Sequence, residues 1–415
     1  MIRIRIYRGI QPVLAAAGKD ITDAAGLYTE FPERKRNIMT MKAASKKKTK
    51  TKKEASPRIT KKEGLDLLKN ADLLGLGMMA DDMRRALHPH GNVSFIIDRN
   101  INYTNVCINK CKFCAFYRNE GDKDAYVLSK RKLFNKIRET IEQGGTQILM
   151  QGGLHPDLDL DYYINLLRSI KKKFPIHVHG FSPPEVTYIS EISGLSIKET
   201  LLELQEAGLD SIPGGGAEIL SDRVREQVSP KKIMSGQWLK VMEEAHKIGM
   251  KTTATMMFGS VEEQEDIIEH LDALRRLQDR TGGFTAFIPW SFQPGNTELN
   301  ESQGARGKRQ GNKAEFHPAT GVEYLRVLAL SRAYLDNIPN IQASWVTQGL
   351  KMAQVALRFG ANDFGSTMLE ENVVAAAGVK HMVSVNDIIG AVKGAGFTPV
   401  QRDMYYNIIS KNLSR

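Results

Sequence analysis

Cysteine is scarce in this 415-residue chain: there are three, and all lie between Cys107 and Cys114. No thiol remains elsewhere for any other purpose. Long apolar runs are also missing. No stretch approaches the ~18 consecutive apolar residues of a membrane-spanning helix, and the start lacks a clean signal-peptide pattern, so the expected compartment is the cytoplasm. Acidic residues are scarce at one end only. Residues 1–58 hold 15 of the 58 Lys/Arg but only 5 of the 47 Asp/Glu, which leaves the remainder nearly neutral although the whole chain carries +11. The basic balance therefore describes a tail, and no specific nucleic-acid partner is expected of the body. Within the tail, Lys46, Lys47, Lys48, Lys50, Lys52 and Lys53 repel one another and cannot pack. No aromatic residue interleaves them, as single-strand binders require. Residues 1–58 are thus expected to be a disordered extension, or the true start is expected at Met39 or Met41.

The three thiols stand in one short run with spacing C-x3-C-x2-C. A closed structural zinc site takes four ligands, and an ordinary iron–sulfur carrier takes four cysteines. Three leave one metal corner open, where a substrate or co-substrate can bind, so the count favours reactive chemistry. The alternatives are a Cys3His zinc site or three unrelated buried thiols; the polar and basic residues around them make a poor core segment.

From Thr60 a leucine periodicity (Leu65, Leu67, Leu68, Leu73, Leu74 and Leu76, then Met83 and Leu87) reads as a helical cap over 59–92. Beyond it, helix and strand signals alternate. Apolar runs at Ile101, Gln147 to Met150, Ile176 to His179, Ser211-Ile212, Lys251 to Met257, Phe284 to Pro289, Asn340 to Ala343 and Ala361 to Gly365 give eight strands. Helical stretches begin near Ser129, Leu160, Ser196, Gly236, Val261, Gly321, Lys351 and Val385. This pattern predicts an α/β fold, a complete (β/α)8 TIM-type barrel over 93–415 that ends in C-terminal helices.

Chemistry in such barrels sits at the C-terminal ends of the strands. The cysteine run follows strand one, Gln151-Gly152-Gly153 follows strand two, and a loop holding Ser182 and Glu185 follows strand three. Gly259 to Glu262 follows strand five, Trp290 and Phe292 follow strand six, and Trp345 follows strand seven. His179 and Glu185 are candidates for proton handling or polar anchoring, with Pro183-Pro184 stiffening the loop before Glu185. Gly152-Gly153 also suits an ordinary turn, and Ser260 with Glu263 forms an S-x-x-E helix start. Trp290, Phe292 and Trp345 form an aromatic wall over the mouth, or else pack loops.

The C-x3-C-x2-C run, with Phe113 just before its third cysteine, resembles the cluster loop of the radical S-adenosylmethionine (SAM) enzymes. The resemblance implies that Cys107, Cys111 and Cys114 bind a [4Fe–4S] cluster whose fourth iron is chelated by SAM. It implies SAM contacts for Phe113, for Gln151, Gly152 and Gly153 through the glycine-pair backbone, for Ser182, and for Gly259 and Glu262 near the adenine. Glu185 and His179 would be catalytic, and Trp290 and Trp345 would meet the substrate. A reducing electron donor such as flavodoxin or ferredoxin is implied as partner.

Further stretches narrow the likeness: Asp98 to Cys107, Gly180 to Glu185, Gly283 to Leu299, Ile341 to Gly349 and Gly360 to Asn372. They resemble the dehypoxanthine futalosine cyclases of the futalosine route to menaquinone. That family's reaction starts with hydrogen abstraction at the ribose C4′ of a small-molecule substrate and closes the ring onto its own arene. Aminofutalosine synthase and the FO-synthase subunit share the cysteine loop and the glycine pair, but Ser344 to Gln348 with Ser366-Thr367 match the cyclases better. An RNA-modifying enzyme recruited by the lysine arm is the alternative from another class.

Overall fold

The computed structural model describes residues 58–301 and 319–410, so the basic tail lies outside the described residues up to its last position. Two helices come first, α1 (Lys61–Asn70) and α2 (Leu73–Leu87). Each starts on a side-chain cap that satisfies an orphan N–H of the first turn. At α1 the Thr60 hydroxyl accepts from the Glu63 N–H while the Glu63 carboxylate accepts from the Thr60 N–H; at α2 Asp72 accepts from the Gly75 N–H.

The chain continues through β1 (Asn92–Ile96), β2 (Asp98–Asn102), α3 (Lys130–Glu142), β3 (Gln147–Gln151), α4 (Leu160–Lys173) and β4 (His177–Gly180). Next are α5 (Pro183–Ser193), α6 (Ile197–Ala207), β5 (Ser211–Ile212), α7 (Asp222–Val228), α8 (Ser235–Lys247) and β6 (Lys251–Phe258). After α9 (Gln264–Thr281) and β7 (Phe284–Ser291) follow α10 (Gly321–Tyr334), β8 (Asn340–Ile341), α11 (Trp345–Ala356) and β9 (Asp363–Ser366). The described chain ends with α12 (Val373–Ala376), α13 (Val385–Gly394), β10 (Thr398–Arg402) and β11 (Ile408–Ser410). The cap helices lie on the outer helices α9 and α10. Lys61 pairs with Glu269, and Arg326 donates to the Ala71 carbonyl.

Strands β2 to β8 form one parallel sheet in sequence order. Strand β9 closes the ring. On one side Asn362 donates to Ile341 and Ala343 to Asp363; on the other, Thr367 donates to Ile96 and Leu369 to Asp98, all through backbone N–H groups. All eight expected strands are present, including the two-residue β5.

A second sheet, in the order β11-β10-β1-β9, grows from that seam. The extended run from Asn92 to Asn102 is interrupted at Ile97, so β1 pairs with β9 and β10 while β2 begins the barrel. Buried Asp363 pins the junction. It takes Arg402 through two nitrogens, at 2.5 and 3.0 Å, and the Ser94 hydroxyl at 2.5 Å, which ties β9, β10 and β1 together. The C-terminal segment expected to be helical therefore holds α13 followed by two strands. The pairing of β10 with β1 is long-range and leaves no local periodicity to read, and β11 joins the sheet through β10.

Two further readings change. The loop expected at Pro183-Pro184 is the first turn of α5, where proline costs nothing because those N–H groups have no helical partner. The expected S-x-x-E start shifts one turn: Glu263 is the N-cap of α9 and its N–H donates to the Asp266 carboxylate, while Glu262 folds back and accepts from the Ser260 N–H and hydroxyl.

Candidate functional site

Side chains on the inner faces of the strands and on the loops at their C-terminal ends enclose a cavity of about 400 Å³. Cys107, Cys111 and Cys114 line it together with Phe113, Gln151, Gly152, Gly153, His179, Ser182, Glu185, Trp290 and Trp345. Most of the residues singled out in the sequence thus meet in one chamber. Gly259 and Glu262 are not among its lining residues, and Glu262 has the local partners just described. Phe292 is buried and does not line the cavity either.

The cysteine loop has no regular secondary structure, yet its backbone is tied down on every side. Cys107 N–H donates to Arg118 O, Ile108 N–H to Leu154 O, and Lys112 N–H to Val228 O, while Leu299 N–H donates to Lys112 O. One Arg118 nitrogen donates to the carbonyls of Ala115, Phe116 and Tyr117, which fixes the turn that follows Cys114. Burial pushes the Cys111 thiol up to about 12 and raises that of Cys114. Both would become thiolates readily only beside a strong positive centre. Among the described residues, no three His, Cys, Asp or Glu side chains are grouped so as to hold a metal ion. The donor set consists of three soft sulfur ligands, which in kind and number fits a [4Fe–4S] cluster with one corner left for another ligand.

The glycine pair is packed against this loop. A Cβ on Gly153 would lie 2.1 Å from the Val106 carbonyl oxygen and 2.8 Å from the Cys107 Cβ, and one on Gly152 would lie 2.6 Å from the Tyr103 ring. The N–H of Gly153 donates to Thr104 O at 3.0 Å and that of Gly152 to Glu185 at 3.0 Å. Both N–H groups are therefore used within the protein, and only carbonyl oxygens remain to face a ligand.

Glu185 explains this order. One carboxylate oxygen accepts from the Tyr103 hydroxyl at 2.8 Å and the Gly152 N–H; the other accepts from the Ser182 N–H at 2.7 Å and the Ser182 hydroxyl at 2.6 Å. Burial raises its pKa, and the donors from Ser182, Gly152 and Tyr103 pull it back down. A carboxylate offers about four acceptor positions, so Glu185 is saturated: it locks the cysteine loop, the glycine pair and the start of α5 to one another. His179 lies below it, with Nδ1 2.7 Å from the Ser211 hydroxyl. Burial holds its pKa well below the ordinary value, so the imidazole is neutral.

Trp345 is buried and donates through Nε1 to the Ser366 carbonyl at 2.8 Å, whereas Trp290 is half-buried in the cavity wall. Several lining residues escaped sequence reasoning. Lys232 holds Glu218 at 2.6 Å and sits 5.2 Å over the Phe113 ring. Burial acts to lower its pKa, but the charges of Cys111 and Glu218 outweigh this and raise it. On β2, Asp98, Asn100 and Asn102 face inward. Their polar alternation across an otherwise buried strand was the available signal. Arg402, Met404 and Tyr406 reach the cavity from the second sheet and left no signal at all.

The arrangement is that of a radical SAM enzyme, and residues 101–274 match the radical SAM superfamily. Residues 281–414 match the CofH/MqnC C-terminal region. The chain is 47% identical to the cyclic dehypoxanthine futalosine synthase of Halalkalibacterium halodurans, covering 85% of this chain and 92% of that one. It is 44% identical to the synthase of that name from Streptomyces coelicolor, over 85% and 86%. It is also 43% identical to the 5-amino-6-(D-ribitylamino)uracil–L-tyrosine 4-hydroxyphenyl transferase of Methanopyrus kandleri, over 76% and 84%. In fold it is similar to methylornithine synthase, with a TM-score of 0.63 at 16% identity over 83% of this chain and 94% of that one. The chain belongs to the radical SAM superfamily and, within it, to the family that carries the CofH/MqnC C-terminal region. Among the described residues no helix is long and apolar enough to cross a membrane.

Proposed function

We propose that this protein cyclises dehypoxanthine futalosine to cyclic dehypoxanthine futalosine in menaquinone biosynthesis. The observation that carries the reading is a single chamber running from the three thiols to the polar barrel interior, in a chain 47% identical to a synthase of that name. Cys107, Cys111 and Cys114 would hold a [4Fe–4S] cluster with SAM on its open corner, and with one electron from a reducing donor these would supply the 5′-deoxyadenosyl radical chemistry for abstracting the substrate's C4′ hydrogen.

The chain's own residues do the positioning. The Gln151 to Gly153 backbone presents carbonyls that suit the SAM amino group, with Phe113 and Ser182 beside them. Glu185 holds this backbone in register with the cysteine loop, which makes it a positioning residue. Trp290 and Trp345 wall the chamber and shield reactive carbon from stray hydrogen donors and water. Closure onto the arene leaves a ring radical that becomes aromatic again by losing a proton and an electron, the electron passing to a one-electron acceptor; His179 in the wall would take the proton where a bound negative group offsets the burial that lowers its pKa.

The test is anaerobic incubation of reconstituted protein with dithionite, SAM and dehypoxanthine futalosine, read by mass spectrometry. The expected result is 5′-deoxyadenosine, methionine and a cyclised product. A parallel arm with 5-amino-6-(D-ribitylamino)uracil and L-tyrosine addresses the activity in the name of the Methanopyrus relative. Turnover there, with none of dehypoxanthine futalosine, would replace this reading.

A further inference from the structure

The inner faces of β2 and β3 form a ladder from the cysteine-loop end inward: Asn102 opposite Gln151, Asn100 opposite Leu149, and Asp98 opposite Gln147. All six residues line the cavity. The first rung is satisfied within the protein, since Asn102 donates to the Gln151 carbonyl at 3.3 Å and accepts from Asn372 at 3.2 Å. On the innermost rung the Gln147 amide, at 2.5 Å, and the Ser366 hydroxyl both donate to Asp98. Asn100 is different. It is only 5% exposed, and among the described residues its carboxamide oxygen has no hydrogen-bond partner. Among the described residues the carboxamide oxygen of Gln147 is also unpartnered. Buried polar groups left unpaired cost stability and are rare in native proteins. In a cavity wall, such a group fits a partner that arrives with the ligand.

The surroundings restrict what that partner is. Ser366, His179 and Thr253, which also line this part of the cavity, are uncharged, and Asp98 is an acceptor. Arg402 is the cation that reaches the same region, but two of its nitrogens hold Asp363 and the third donates to the Asp403 carbonyl at 3.0 Å. A substrate carboxylate would therefore meet Asp98 without a free guanidinium to offset it. A carboxamide that can both donate and accept, two residues along the same strand face from a carboxylate, complements neighbouring hydroxyls.

We propose that Asn100 and Asp98 form the subsite for the ribose hydroxyls of the substrate. The assignment rests on the cyclase reading above. Asn100 lies one rung, about 7 Å along the strand, inward of Asn102 and the glycine-pair level. A sugar held there turns its C4′ toward the cysteine-loop end and leaves the arene and its carboxylate to the upper wall near Trp290.

Asn100→Leu tests this in the reconstituted holoenzyme, because leucine fills similar space with no polar atom. The variant should melt at the same temperature or higher, with SAM affinity unchanged. Its KM for dehypoxanthine futalosine should rise about tenfold, the worth of one hydrogen bond. Substrate analogues lacking one ribose hydroxyl should lose about tenfold in kcat/KM with the wild type and little more with Asn100→Leu. An unchanged KM with undiminished discrimination between these analogues would overturn the subsite, as would lowered stability with normal KM, which marks a structural residue. Asn100→Ala supplies the same readings if the leucine is not accommodated. If the wild type fails to convert dehypoxanthine futalosine at all, the functional reading itself falls and the ribose assignment with it. Wild-type turnover with indifferent variants overturns the subsite alone.

Discussion

Two buried carboxylates face the same cavity and are held in opposite ways. Near the mouth, Glu185 receives hydrogen bonds from Tyr103, from the Gly152 N–H and from Ser182 twice. At the inner end, Asp98 receives one from Gln147 and one from Ser366, with unpartnered amide oxygens on Gln147 and Asn100 close by in the wall. Burial raises both pKa values. The mouth is thus a finished hydrogen-bond network that fixes backbone, as a cofactor loop requires before anything binds. The inner end keeps hydrogen-bonding capacity in reserve, as a surface completed by its ligand does. Pre-organisation and recognition are separated along one chamber.

The largest expected effect is at the mouth. Replacing Cys107, Cys111 or Cys114 singly with Ala should reduce 5′-deoxyadenosine formation to background and lower bound iron, because the chain has no spare thiol. Circular dichroism should still report a folded barrel. Near-normal SAM cleavage by any one of the three would remove that cysteine from the cluster.

Next comes Glu185→Gln, which puts an NH2 group where two donors already point. It should cost about 3 kcal/mol of stability and lower SAM cleavage and cyclised product together, by roughly a hundredfold. Normal 5′-deoxyadenosine with missing product would instead make Glu185 the base that removes the proton, and the contrast between the two carboxylates would collapse.

At the inner end, Asp98→Asn keeps a neutral polar group that can still meet Gln147 and Ser366. Burial lifts the folded pKa of Asp98 above its unfolded value, so between the two the native state holds a proton that the unfolded chain has released. Stability falls as pH rises through that window and stays lower above it. The melting temperature of Asp98→Asn should therefore gain on the wild type from acid to neutral pH and then run parallel to it. A gap independent of pH would show that Asp98 is not a buried charge in the folded protein.

The smallest expected effect comes from removing residues 1–55. Their lysine run cannot support a core, and the first capped helix starts at Thr60. Melting temperature and turnover should both stay within error of the full chain, and a large loss of either would make the tail structural.

What the sequence by itself determined is what short-range physics controls. Three thiols within eight residues resemble the cluster loop of the radical SAM enzymes whatever surrounds them. The alternation of apolar runs with helical stretches, such as those beginning near Ser129 and Gly321, marks eight strands and their helices because periodicity acts over three or four residues. Tertiary structure decided the rest, because the partners lie far apart along the chain. Tyr103 reaches Glu185 across 82 positions and Ser366 reaches Asp98 across 268, so only the folded ring shows one carboxylate as a clamp and the other as part of an incomplete surface. The second sheet is of the same kind: β10 joins β1 from more than 300 residues away. No local pattern encodes such a pairing, since its stabilisation comes from burying Asp363 with Arg402 and Ser94 between strands that meet only when the barrel closes.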